Sequence, residues 1–178
     1  MGARALLANS LIAAAAIVAA ALAAVPATAS ARGCTGGTLY VGKGFDNLRL
    51  GDTRDKVVAE LGAPYFENHN GFMQYAPGDA VPECDIYRAS GSKHSTVRMF
   101  AFSGRRFVVS GGIHIFDNGG LRKLKARYPR MKVVTDPEDG ERFYEIRSHY
   151  HGRKVFTSIT PSKLSLSGRA LQVFIGFV

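Results

Sequence analysis

Apolar and polar positions divide the chain into a greasy leader and a body of short alternating segments. Leu11 to Val25 is an unbroken apolar run rich in Ala. Beyond it, two stretches carry apolar residues at helical spacing: Val57, Val58 and Leu61 in the first, Leu121, Leu124 and Tyr128 in the second. After each stretch the period changes to two. FMQYA, CDIYRA, TVRMFAF and RFVVS follow the first, and KVVT, RFYEIRSHY, KVFTSIT and ALQVFIGFV follow the second. Runs of this length, rich in Val, Ile, Phe and Tyr and separated by turn residues, predict strands.

Local signals bound these elements. Leu48 and Leu50 alternate as a short strand, Gly51 turns the chain, and Asp52 or Thr53 is suited to cap a helix with Asp55 in its first turn. Gly62 and Pro64 stop that helix. A second copy of the plan begins at Ile113: Leu48 and Ile113, Leu50 and Ile115, Asp52 and Asp117, and Pro64 and Pro129 are each 65 residues apart. Asn118-Gly119-Gly120 stands there in place of the Thr cap. Ser103-Gly104 and His151-Gly152 are predicted hairpin turns, Gly42-Lys43-Gly44 and Pro77-Gly78-Asp79 loops, and Asp136 to Gly140 a polar turn. The expected class is therefore α+β: two tandem helix-plus-antiparallel-meander units forming one curved sheet with the helices on one face. Residues 45–109 form the first unit, 110–178 the second, and 30–44 an N-terminal segment.

The stretch RLGDTRDKVVAELGAP resembles the G-(M/D)-T-x-x-x-V-x-x-x-x-G-x-P helix signature of the beta-lactamase inhibitory proteins and of the small outer-membrane lipoproteins of barrel assembly. The resemblance spans about 17 residues, and the second unit departs from it at Phe116 and Asn118. It implies helical segments packed on an antiparallel sheet, and non-catalytic binding through the exposed sheet face. The inhibitors carry a disulfide in each unit, whereas this chain has 2 Cys in all, Cys34 and Cys84, so neither the contact residues nor the target of the inhibitors transfers.

The leader sets the expected compartment. Met1 to Arg4 gives a positive start, and Ala27-Thr28-Ala29 a small-x-small cleavage pattern, so residues 1–29 read as a secretory signal peptide. An uncleaved anchor and a lipidated Cys34 behind Gly33 are the other readings. Discounting the leader lowers the apolar content from 46% to roughly 40%. In an oxidising compartment Cys34 and Cys84 are expected to pair.

The chain shows no GxSxG, no HExxH, no phosphate-binding Gly loop and no paired-cysteine metal motif. No catalytic residue, metal ligand or cofactor is expected. His149 and His151 alternate onto one strand face, but two histidines are too few for a metal centre. His69, His94 and His114 are isolated.

Two surfaces remain as candidates. The parity opposite the apolar one carries Arg98, Phe100 and Phe102 in the first meander and Phe143, Arg147, His149, Phe156 and Phe174 in the second. Aromatics interspersed with Arg are what protein-recognition surfaces favour, which predicts an extracellular or envelope protein as partner. The second surface is a basic patch, Arg122, Lys123, Lys125, Arg127, Arg130 and Lys132, within a formal net charge of +9. It reads first as the solvated face of an amphipathic helix, and otherwise as a contact for an anionic envelope polymer or membrane surface. Nucleic acid is not expected as a partner.

Overall fold

The computed structural model describes residues 34–75 and 84–178. The expected leader over 1–29 and the Pro77-Gly78-Asp79 loop lie outside the described residues. Among the described residues twelve strands and two helices follow one another: β1 Gly37–Tyr40, β2 Gly44–Phe45, β3 Leu48–Arg49, α1 Arg54–Leu61, β4 Phe66–Glu67, β5 Phe72–Gln74 and β6 Cys84–Arg88. Next come β7 Val97–Ser103, β8 Phe107–Val109, α2 Gly120–Arg127, β9 Lys132–Thr135, β10 Arg142–Tyr150, β11 Arg153–Pro161 and β12 Ala170–Phe177.

These elements correct the expected α+β class. The fold is mostly β, with two sheets: four strands in the order β3-β2-β1-β8, and eight in the order β4-β5-β6-β7-β12-β11-β10-β9. Two eight-residue helices are too small to cover the larger sheet. Only Val57 and Leu61 of α1, and Gly120, Leu121 and Leu124 of α2, are buried. The small sheet supplies much of the second layer. Phe45 and Phe107 on its strands each lie 5.1 to 5.7 Å from a neighbouring ring in a cluster with Phe102 of β7. Leu39, Leu48 and Val109 join the same buried core as Phe100, Ile86, Val173 and Ile175 of the large sheet.

The predicted helix boundaries rest on the residues named for them. Thr53 caps α1, its side chain accepting from the Lys56 N–H, and the Gly62 N–H bonds back to the Val58 carbonyl. Gly119 begins α2 at a φ of 79°, with no side-chain cap bond. The 113–116 stretch forms no strand. It meets Val109 through a single bridge while Ile113, Ile115 and Phe116 enter the core.

In the large sheet, β4 to β7 are one antiparallel run and β9 to β12 another, and the two meet where β7 pairs with β12. The turn at His151-Gly152 closes β10 on β11 with φ of 48° and 74°. The expected hairpin at Ser103-Gly104 is absent: β8 leaves the large sheet and lies parallel to β1 in the small one.

Two further ties hold the layers together. Gly42 has a φ of 68° and its N–H donates to Thr157 Oγ1 of β11 at 2.9 Å; a Cβ at this position would run into the Ser148 side chain. Cys34 and Cys84 form a disulfide, both residues buried, which joins the segment before β1 to the start of β6. Because the bond occupies the Cys34 sulfur, a thioether-linked lipid there is incompatible with this structure. Such a bridge points to a non-reducing environment.

Candidate functional site: the open face of the large sheet

Strand pairing divides the large sheet into two faces. Cys84, Ile86, Phe100, Phe102, Ile146, Val155, Ile159, Val173 and Ile175 point into the core, each at most 4% exposed. The opposite face can be read along its registers. One row crosses all eight strands: Lys132, Glu145, Ser158, Phe174, Ala101, Asp85, Gln74 and Phe66. The next runs Arg147, Phe156, Gly176, Met99, Tyr87 and Phe72.

The second row is an apolar band. A Cβ on Gly176 would stand 3.0 Å from the Phe156 ring and 3.2 Å from the Met99 side chain, so the ring lies across the glycine and reaches toward β7. Tyr87 and Phe72 are 5.1 Å apart, and Phe72 and Phe66 6.1 Å, with ring planes tilted by 47° and 53°. Phe156, Met99, Tyr87 and Phe72 are half-buried, while Phe66 is 49% exposed.

Toward the β9 side the face becomes a hollow of about 380 Å³. Phe143, Phe156 and Phe174 wall it, and Glu145, Ser158, Arg147, Asp136 and Glu141 complete much of its lining. No helix and no small-sheet strand contributes to it. Glu145 is only 7% exposed. Arg147 Nε donates to Glu145 Oε1 at 2.6 Å, and Lys132 Nζ lies 3.9 Å from the same oxygen. The Arg147 side chain itself is 63% exposed.

Of the residues expected on this face, Phe143, Phe156 and Phe174 are half-buried on it, and Arg147 and His149 are exposed there. Phe100 and Phe102 are not on it: both are fully buried in the core. The cause is a β-bulge. Tyr87 pairs with Met99, but Arg88 pairs with Val97, so one extra residue is accommodated in β7. Val97 thereby shares the core with Phe100 and Phe102, and Arg98 is exposed beside the bulge rather than in line with them. Phe66, Phe72 and Tyr87 were missed, although Phe72 alternates with Met73, and Tyr87 with Ile86, in the required sense.

The basic cluster does not form one surface. Arg122, Lys123, Arg127 and Arg130 are exposed on or just after α2, but Lys125 Nζ turns back to donate to the carbonyls of Pro129, at 2.7 Å, and Met131. Lys132 sits on β9, in the open-face row beside Glu145. His149 and His151 are also separated: His149 pairs with Lys154 on the strand, whereas His151 is in the turn with its ring against Tyr150. Among the described residues no group of three or more His, Cys, Asp and Glu is arranged to hold a metal ion.

One buried charge cluster lies on the other face. Glu67 of β4 accepts from Arg54 Nε at 2.9 Å and from Arg88 Nη2 at 2.5 Å. Arg88, whose side chain is wholly buried, also donates to the Ser92 carbonyl and to Ser95 Oγ, which fixes the 89–96 loop. The hydrogen bond from Arg54, reinforced by the charges of both arginines, holds the Glu67 carboxyl below its ordinary range, and burial pushes the nearby Tyr75 phenol up. Its place on the core face, where Glu67 and Arg88 tie β4 to α1 and to the 89–96 loop, makes the cluster a structural brace. Comparison with protein families, with curated proteins and with solved structures gives no match for the chain.

Proposed function

We propose that the protein is a secreted, non-catalytic binding module that captures an extracellular or envelope protein on the open face of its large sheet. The carrying observation is the half-exposed band Phe156, Met99, Tyr87, Phe72 and Phe66, continuous with Phe143 and Phe174. Aromatic and Met side chains are enriched at the centres of protein interfaces, where they bury much area for little lost entropy. The opposite face is already filled by the small sheet and the helices, so the band is not needed for the core. The tilts between neighbouring rings make the band uneven, which suits interdigitating side chains better than the flat face of a sugar polymer.

Secretion is supported by the leader pattern and agrees with the disulfide. The resemblance to the beta-lactamase inhibitory proteins and barrel-assembly lipoproteins points the same way, as a likeness of one helix motif and of binding style. The alternative of a polymer-binding basic protein loses support because Lys125 is turned back onto the Pro129 and Met131 carbonyls and Lys132 stands beside Glu145 on the open face. The test is affinity capture from envelope and culture medium with wild type and with Phe72→Ala/Tyr87→Ala. A discrete protein retained by wild type and lost by a variant that still folds supports the reading. Equal capture by both refutes it.

A further inference from the structure

We infer that the hollow at the β9 side of the open face receives a basic side chain, an arginine in preference to a lysine, from the partner protein. This rests on the reading of that face as a protein-binding surface and adds the chemistry of the group that anchors there. Phe143, Phe156 and Phe174 wall the hollow, Glu145 lines it, and Asp136 and Glu141 bring two further carboxylates to its lining. Such walls favour a planar cation, because the faces of aromatic rings attract positive charge and a guanidinium stacks on them.

The carboxylates decide between occupants. An aliphatic side chain in the hollow would remove the little solvent left to Glu145 and shield Asp136 and Glu141 while offering no further hydrogen bond, which is unfavourable for charged groups. An acidic side chain would meet three carboxylates. A guanidinium gains both the aromatic contacts and a charge-assisted bond to Glu145, with geometry suited to a two-pronged pair. Complementarity is local: the chain as a whole is basic, with a formal net charge of +9, yet this hollow presents more acidic than basic groups.

Arg147 shows the affinity of the place for a guanidinium. It reaches Glu145 from two residues along the same strand, by one bond from Nε, with its side chain 63% exposed. An incoming arginine would compete with it for the same carboxylate. Arg147 therefore acts as an internal competitor, and its removal should strengthen binding.

The experiment is an NMR titration of the labelled protein with N-acetyl-arginine methylamide. N-acetyl-citrulline methylamide, its uncharged isostere, and N-acetyl-glutamate methylamide serve as comparisons. Saturable shifts at Phe143, Phe156, Phe174 and Ser158 from the arginine probe, and not from the other two, are expected. Glu145→Gln should weaken them about tenfold, as loss of a charged hydrogen bond does, and Arg147→Ala should tighten them. Unchanged spectra elsewhere show that both variants fold.

Equal shifts from the citrulline probe, stronger shifts from the glutamate probe, or indifference to Glu145→Gln would overturn the inference. Self-association in sedimentation that Glu145→Gln abolishes would assign the hollow to a second copy of the chain and overturn it too. If the arginine probe fails while Phe72→Ala/Tyr87→Ala still abolishes protein capture, the protein-binding reading stands and the cation pocket alone falls.

Discussion

Glu67→Gln perturbs the fold at the place where burial and charge are most tightly coupled. The Arg88 side chain is wholly buried and ion-paired to Glu67, and its guanidinium also donates to the Ser92 carbonyl and the Ser95 hydroxyl. Removing one member of a buried ion pair costs roughly 3–5 kcal/mol because the remaining charge stays desolvated. The Glu67 side chain is 21% exposed and glutamine keeps an acceptor for the guanidinium, which places the cost near the lower end, about 3 kcal/mol. For a fold of this size that lowers Tm by roughly 10 °C.

The acid dependence follows from the sign of the shift. The Glu67 carboxyl is held below its ordinary value by the Arg54 hydrogen bond and the two arginine charges, so its contribution is fully present above its unfolded pKa. That contribution is lost as pH falls through the lower folded value. Thermal unfolding of wild type and variant from neutral to acid pH should show a gap that is widest at neutral pH and closes in acid. Glu67→Gln/Arg88→Met, which removes the stranded charge, should be more stable than Glu67→Gln alone. A Tm within about 2 °C of wild type at pH 7, or a gap that is constant with pH, would refute the reasoning.

Three other perturbations separate core from surface. Phe102→Ala removes a fully buried ring packed against Phe45, Phe100 and Phe107 and should cost about 3–5 kcal/mol in denaturant unfolding, whereas Phe156→Ala on the open face should cost far less and impair partner capture. Reducing the Cys34–Cys84 bridge frees a 50-residue separation and should destabilise the fold by up to about 4 kcal/mol, read as a lower Tm with dithiothreitol. Lys125→Met removes the donor to the Pro129 and Met131 carbonyls and should cost about 1 kcal/mol, while Arg122→Gln and Lys123→Gln, with exposed side chains, should change stability by less than about 0.5 kcal/mol.

What could be read from the sequence was set by the length of each pattern. β10, β11 and β12 run eight or nine residues, long enough for alternation to assign Tyr144, Ile146, Val155, Ile159 and Val173 to the core and Phe143, Phe156 and Phe174 to the other face. Helix α1 was legible because a cap, an acidic first turn and a terminal glycine fall in order. The small sheet was not, because Gly44–Phe45 and Leu48–Arg49 are too short to show a period and β1 pairs with β8 across some 70 residues. That omission produced the mistaken α+β class. Leu171, which strict alternation with Val173 and Ile175 would place in the core, is 47% exposed near the irregular pairing at Thr160 and Pro161. The bulge in β7 left no mark in the alternation of TVRMFAF, and it moved Phe100 and Phe102 from the expected binding face into the core. Glu145 became important only when the register set it among three phenylalanines.

Site-specific photo-cross-linking tests the open face most directly. Benzoylphenylalanine placed at Tyr87, on the apolar band, or at Arg122, on the outer surface of α2, would be irradiated in envelope and culture-medium fractions. A discrete cross-linked protein from the Tyr87 position and none from Arg122 is the predicted result. A product from Arg122 alone, or the same products from both positions, would contradict binding through the open sheet face.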